Sequence, residues 1–260
     1  MILPASPTEI HEKPSGTCFP CYDSANVPLS APKAAAAGNL PLAPGLALIL
    51  DLDGVVLDSM PVHELAWQRY LESLGIAAHD VSSRMHGRRN DEIFRDFLGP
   101  DADPRDILAH GAAKERLFRE MMRGRLEQYL VPGIAAWLKR TVGIPTALAT
   151  NGERPNIDFV LDGANLRSYF RVIVDGSQVS SPKPAPDLYL LAAHEMGIAP
   201  RNCIVFEDSP VGVAAAHAAG MRVVGVLTYP SPLEDVLFAV PDFLDPSLDH
   251  WLSAQRAEWR

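Results

Sequence analysis

From Leu46 onward the apolar residues of this chain fall into two patterns that alternate along its length. Leu46-Ala47-Leu48-Ile49-Leu50 is a continuous apolar run behind Gly45 and reads as a short, fully buried strand ending on an acidic turn. Asp58-Ser59-Met60-Pro61 then supplies polar caps and an early proline. Val62, Leu65, Ala66, Tyr70 and Leu74 follow at helical spacing, closed by Gly75. A second helix is expected from near Asn90, with Ile93, Phe94, Phe97 and Leu98 on one face and Gly99-Pro100 as its stop. A longer helical region is expected over 104–130, with Gly111 and Gly124 as candidate interruptions. No strand pattern stands out between 62 and 130.

Past Val131 the pattern changes to short β-rich runs separated by helices. Strands are expected at 146–149, 172–174, 203–206 and 223–226, and helices at 132–141, 156–161, 186–196 and 210–219. Such alternation predicts a parallel sheet with right-handed crossovers. With the opening strand, the expected architecture is a Rossmann-like α/β core with a five-stranded parallel sheet, formed by 44–61 and 131–260. An α-helical cap domain over 62–130 would be inserted just after its first strand. The remainder, with Leu233, Val236, Leu237, Leu248, Trp251 and Leu252, is expected to cover the sheet as helices.

Residues 1–43 carry repeated prolines and the run Ala34 to Ala37 without a sustained period, and are expected to form a disordered tail. The net charge of −9 argues against a nucleic-acid or anionic-membrane surface, since phosphate backbones are held by clustered Lys and Arg. Three cysteines are too few for a disulfide scaffold and suit a reducing cytoplasm. Cys18-Phe19-Pro20-Cys21 lacks the second ligand pair of a zinc site, and Cys203 reads as a small core residue. No apolar stretch is long enough to span a bilayer, and Glu9 and Glu12 stand where an export signal would need a basic start. A cytoplasmic monomer acting on a small molecule is expected.

The chemistry lies at the strand ends. Asp51 and Asp53 are two residues apart, so on extended backbone they lie on one side of the strand's C-terminal edge, where open α/β sheets place their ligands. Other strand ends run into Thr150-Asn151-Gly152 and Glu207-Asp208-Ser209-Pro210, and prolines fix the loop around Lys183. Asp51, Asp53, Glu207 and Asp208 gathered at neighbouring ends would repel one another without a cation. A hard divalent ion with oxygen ligands, Mg²⁺ by preference, resolves this. Lys183, Thr150, Asn151 and the helix start at Ser209-Pro210 would add an anion pocket. Each fragment alone also has a plain structural reading: a helix cap at Ser209, a surface lysine, polar turns.

The ordered set DxDGVxxDS, TN, KPxPD and FEDSPxGVxAAxAAGM resembles the four motifs of the haloacid dehalogenase (HAD) superfamily, specifically the β-phosphoglucomutase-like phosphatases with a helical cap, over residues 46 to 228. The resemblance implies Asp51 as nucleophile and Asp53 as general acid/base. It implies Mg²⁺ held by Asp51, the carbonyl of Asp53 and Asp208, with Glu207 as a nearby or alternative ligand. Thr150, Asn151 and Lys183, with Gly54 of the opening turn, would bind the transferring phosphoryl group. An acid at the second aspartate position argues against the dehalogenases of the superfamily, whose halide leaving group needs no proton. The Schiff-base phosphonate branch is disfavoured because Lys114, the lysine of the cap segment, sits in the wrong stretch for that role.

The cap loop Arg84-Met85-His86-Gly87-Arg88-Arg89-Asn90-Asp91 is similar in placement to the family's specificity loop. Arg88 or Arg89 could bind phosphate or sugar hydroxyls, or could be solvated arginines before a helix. His63 and Trp67 match an HxxAW pattern near the hinge, with His63 a candidate proton relay to Asp53 and Trp67 equally suited to packing. The expected activity is Mg²⁺-dependent hydrolysis of a small phosphomonoester, a sugar phosphate, through an aspartyl-phosphate. A β-phosphoglucomutase-type phosphosugar mutase is the alternative, and a non-catalytic ligand-binding or regulatory protein on the same fold is the alternative of another class.

Overall fold

In the computed structural model, residues 40, 42–85, 88–228 and 232–256 are described. The central sheet takes β1 (Ala47–Leu50), β2 (Thr146–Ala149), β3 (Val172–Val174), β4 (Cys203–Glu207), β5 (Arg222–Val226) and β6 (Phe238–Val240) in the order β3-β2-β1-β4-β5-β6, with every pairing parallel. The sheet is therefore six-stranded rather than five-stranded. The segment expected to be wholly helical contributes β6, an edge strand of three residues, too short to display a period of two. It is followed by α9 (Pro246–Ala254), whose Leu248 and Leu252 do cover the sheet.

The chain proceeds outward from β1 through β2 to β3, then returns to the other side of β1 for β4 and beyond. The strand order reverses between β1 and β4. That switch point opens a crevice at the carboxyl ends of these two strands, because the crossovers on either side lead away from it. Successive residues of β1 and β4 point to opposite faces: Leu48, Leu50, Ile204 and Phe206 into one core, Ala47, Ile49, Cys203 and Val205 into the other. The first core is closed by α5 (Ile134–Arg140), α6 (Arg154–Gly163) and α9, the second by α7 (Asp187–Met196) and α8 (Pro210–Ala218).

Between β1 and β2 lie α1 (Met60–Ser73), the five-residue α2 (Val81–Met85), α3 (Asn90–Leu98) and α4 (Pro104–Met122). Helix α4 runs through Gly111 and ends at Met122, where the backbone of Arg123 (ψ 128°) turns extended ahead of Gly124 (φ 72°). Trp67, Leu71, Val81, Met85, Ile93, Phe94 and Ile107 form a separate apolar cluster within this insertion. At the other end of the chain, Leu40 is buried and donates its N–H to the Arg140 carbonyl (2.9 Å), so packing against the core begins ahead of the 43/44 boundary expected for the tail. The Cys18/Cys21 pair, His86 and Gly87 lie outside the described residues, and Cys203 is a buried free thiol. Among the described residues no helix is long and apolar enough to cross a membrane.

Candidate active site

Four strand ends deliver the polar residues to the switch-point crevice. Asp51 follows β1 directly, and its N–H extends the ladder to the Phe206 carbonyl (3.1 Å), which sets it beside Glu207 at the end of β4. Asp208 follows, then Ser209, which caps α8 by accepting from the Gly212 N–H (3.1 Å) and also donates to Glu207 Oε2 (3.1 Å). The loop after β3, in which the Lys183–Pro184 peptide is cis, carries Lys183 inward. Its ammonium donates to Asp51 Oδ1 (2.7 Å) and to Glu207 Oε1 (2.6 Å), and the residue is buried rather than solvated. Asn151 Oδ1 accepts from the Lys183 N–H (3.2 Å), and the Thr150 hydroxyl accepts from the Gly152 N–H (3.1 Å), tying the end of β2 to the same centre.

Close approach explains two glycines. Gly54 has φ 81°, and a Cβ there would overlap the Asp208 carboxylate; a Cβ at Gly212 would overlap that of Glu207. The Gly54 N–H donates to the Leu57 carbonyl (2.7 Å), so Gly54 offers the site room rather than a hydrogen bond. Its carbonyl in turn accepts from the Thr228 hydroxyl (2.6 Å).

The carboxylates carry more negative charge than Lys183 balances. Oxygens of Asp51, Glu207 and Asp208 lie within 4.8 Å of one another, and all three residues are buried. Burial, with the charges of Glu207 and Asp53 added and Lys183 opposing, pushes the Asp51 carboxyl up to about 7. Burial and the same neighbours push Asp208 well above the carboxylate range. Burial disfavours charge on Lys183, but Asp51 and Glu207 outweigh it and hold the ammonium protonated. A cluster of hard oxygen donors in need of positive charge fits Mg²⁺. Glu207 also accepts from the Tyr189 hydroxyl (2.5 Å) and from the N–H groups of Asp208 (3.0 Å) and Ser209 (3.2 Å), so its oxygens are committed to holding the strand end together.

Asp53 is in a different environment. Its Oδ1 accepts from the Ser59 hydroxyl (2.6 Å) and stands 3.5 Å from His63 Nε2, while its Oδ2 faces Gly152, where a Cβ would be 3.6 Å away. Burial raises its affinity for a proton, but His63 and Ser59 outweigh that and the carboxyl sits below its ordinary value. Ser59, expected only as a helix cap, makes no side-chain cap bond to α1 and serves Asp53 instead.

The His63 ring stacks on Phe118 (centroids 3.8 Å apart), and its Nδ1 is 2.9 Å from the Lys114 ammonium. An ammonium can only donate, so Nδ1 is the acceptor and Nε2 carries the proton toward Asp53. Trp67 is buried, with Lys114 5.0 Å from its ring centroid. Lys114 also pairs with Glu115 (2.8 Å); Asn90 (2.7 Å) and Asn156 (2.6 Å) donate to the same carboxylate. Glu115 is held down to about 2: burial opposes its charge, but the Lys114 ammonium and the Asn156 amide outweigh the burial.

Lys114 and Glu115 were not identified as site residues from the sequence. The signal was there: Ile107, Gly111, Lys114, Phe118 and Met122 recur at helical spacing, which puts a lysine on the buried face of an amphipathic helix.

A cavity of about 450 Å³ joins this centre to the helical insertion, reaching from Asp51 and Lys183 past His63 and Trp67 to Arg88, Arg89 and Glu153. Both arginines line it, but each is engaged: Arg88 with Asp96 (2.8 Å) and Glu92 (3.6 Å), Arg89 with Asp91 (3.7 Å).

The profile of the haloacid dehalogenase-like hydrolases matches residues 46–220, from β1 to the turn after α8. The chain belongs to this family. It is 34% identical over 184 residues to the fructose-1-phosphate phosphatase YqaB of Escherichia coli, covering 69% of this chain and 95% of that protein. It is 34% identical over 180 residues to hexitol phosphatase A of the same organism, covering 68% and 81%. A crystal structure of CbbY from Rhodobacter sphaeroides with xylulose-1,5-bisphosphate superposes with a TM-score of 0.66 at 26% identity, over 76% of this chain and 94% of that one. A crystal structure of β-phosphoglucomutase from Clostridium difficile shares this fold, with a TM-score of 0.70 at 24% identity over 80% of this chain and 96% of that one, and the four motifs noted above fall at the ends of β1, β2 and β4 and in the loop after β3.

Proposed function

We propose that this HAD hydrolase is a Mg²⁺-dependent phosphatase that hydrolyses small sugar or polyol phosphomonoesters through a phosphoryl group carried on Asp51, with 62–130 acting as a cap over a core of 44–61 and 131–260. The observation that supports it most strongly is the division of labour between two aspartates two residues apart. Asp51 is gripped by Lys183 amid carboxylates, while Asp53 faces away from that cluster toward Ser59 and His63. The names of the two Escherichia coli relatives point to the same class of substrate.

Asp51, Asp208 and the Asp53 carbonyl would hold Mg²⁺, with Glu207 bracing them. When bound, the ion neutralises the carboxylates and draws charge from the phosphoryl oxygens. Lys183, anchored between Asp51 and Glu207, offers a donor to the phosphoryl group at the attacking oxygen, and Thr150 and Asn151 flank it. The Asp51 carboxylate forms a bond to phosphorus as the bond to the ester oxygen breaks. Asp53 delivers a proton to that leaving oxygen through Oδ2. Water then attacks phosphorus, Asp53 takes the water's proton, and the bond to Asp51 breaks to release inorganic phosphate. The His63 and Ser59 contacts hold Asp53 as a carboxylate in the empty site, the form needed for water; a phosphate dianion beside it raises its proton affinity for the first step.

The test is phosphate release from a panel of hexose and hexitol monophosphates with Mg²⁺. Turnover is expected in the wild-type chain and a loss of at least about 10³-fold in Asp51→Asn, whose amide cannot attack phosphorus. Interconversion of β-glucose 1-phosphate and glucose 6-phosphate without phosphate release would establish the mutase instead. Turnover of no ester, with ligand binding unchanged in Asp51→Asn, would establish a binding protein.

A further inference from the structure

The far wall of the cavity carries an acidic side chain that the chemistry above does not use. Glu153 follows Gly152, the residue facing Asp53 Oδ2, at the end of the β2 loop, and it lines the same cavity as Asp53. It is half-buried, and Asn90 donates to its Oε1 (3.1 Å) while also donating to Glu115. Gly111 of α4 lies against this pair, where a Cβ would be 3.4 Å from the Asn90 Cβ and 3.9 Å from Glu153 Oε1. Asn90, Gly111 and Glu153 line the cavity together.

Arg88, Arg89, Lys114 and Arg154 line the same region, and each faces a carboxylate: Arg88 with Asp96, Arg89 with Asp91, which Arg95 shares, Lys114 with Glu115, and Arg154 with Asp158 (3.0 Å), which Arg167 shares; Arg119, behind the lining, donates to Asn156 Oδ1 (2.6 Å). Glu153 is held by an amide rather than by a cation. A second phosphate on the leaving group would therefore meet a carboxylate that no cation pairs among the described residues. Hydroxyl groups would find an acceptor with lone pairs to spare.

Resting on the phosphatase reading, we infer that Glu153 determines leaving-group specificity, accepting the hydroxyls of a neutral sugar or polyol carried as a monophosphate and excluding bisphosphates. The chain would thus differ in substrate class from the CbbY structure that holds xylulose-1,5-bisphosphate. Exclusion of bisphosphates also disfavours a mutase cycle, which must retain one.

The experiment measures binding to the full chain in the Asp51→Asn background with Mg²⁺, using hexose and hexitol monophosphates and the matching bisphosphates. Titration calorimetry gives the ratio of affinities. The best monophosphate is expected to bind at least about tenfold tighter than its bisphosphate, the scale of one uncompensated like charge near a protein surface. Adding Glu153→Lys is expected to erase or invert that ratio, and the near-isosteric Glu153→Gln to shrink it about threefold; circular dichroism verifies that both variants fold. Equal binding of the two esters, no binding of any monophosphate, or a ratio unmoved by both substitutions overturns the inference. Absence of phosphate release by the wild-type chain overturns the phosphatase reading separately, and the binding ratio still decides the role of Glu153.

Discussion

The two ends of the cavity are built on opposite electrostatic plans. At the strand ends Asp51, Glu207 and Asp208 crowd around one lysine, and burial drives two of the three carboxyls toward protonation. At the helical end, cations and carboxylates are interleaved, Glu115 is held firmly ionised beside Lys114, and Glu153 is held by the Asn90 amide. Under the proposed reading, a cation and a phosphoryl group would balance the first end. The second already carries its own cations, and there Glu153 would discriminate by hydrogen bonding and by charge. Under the proposed reading the core loops would supply the chemistry, and the wall where Glu153 of the core meets Asn90 of the insertion would select among substrates.

The comparison is broken most severely at Lys183, the cation on which the first end depends. Lys183→Ala is expected to lower kcat by about 10²- to 10³-fold, since it removes a donor at the phosphoryl group. It also leaves Asp51 and Glu207 buried without their partner, a loss of about 3–5 kcal/mol in urea unfolding at neutral pH. Added Mg²⁺ should restore part of that stability, because it replaces the missing positive charge. Unchanged kcat and unchanged stability would show that the strand-end cluster does not depend on this lysine.

Much of the strand-end site was legible in the sequence because its residues sit in short contiguous motifs at the ends of apolar runs. Asp51, Thr150 and Glu207 each close or follow a strand whose burial was plain from composition alone. The helical end was not legible in this way. Asn90 and Glu153 meet across 63 positions, and Asn156 reaches Glu115 across 41, so only the docking of the insertion on the core brings them together. Ser59 does stand at the N-cap of α1 as its position suggests, but the tertiary contact to Asp53 takes the hydroxyl that local rules assign to the cap. The sixth strand escaped notice because Leu233 and Val236 pack under Gly225 as an irregular segment, leaving only Phe238–Val240 in the sheet.

A smaller perturbation sharpens the comparison without removing a charge. Gly54→Ala places a methyl against Asp208 at a backbone angle that L residues rarely adopt, so Asp208 must move. Apparent Mg²⁺ affinity, read from the activation curve of phosphate release, is expected to weaken by about 10- to 100-fold, with kcat largely regained at saturating metal. The affinity ratio between mono- and bisphosphates, set at the other end, should stay the same. A changed ratio with normal Mg²⁺ activation would mean that the two ends are not separable.

The least disruptive test touches the helical end through pH. Glu115 is held near 2 in the folded chain against 4.5 as its ordinary value, so the unfolded state takes up a proton between those limits and the folded state does not. Its contribution is fully present above about pH 4.5 and is lost as pH falls toward 2. The size of that shift corresponds to a stabilisation on the order of 3 kcal/mol at pH 7, an upper figure for a buried group in a network. Glu115→Gln keeps an acceptor for the Asn amides but not the charge facing Lys114. Urea unfolding of wild type and variant at a series of pH values should therefore show a gap that is largest at neutrality and closes as the solution is acidified below 4.5. A gap that stays constant down to pH 3 would show that Glu115 titrates alike in both states. The pairing at the helical end would then be no stronger than an ordinary surface contact, and the contrast between the two ends would rest on the strand-end carboxylates alone.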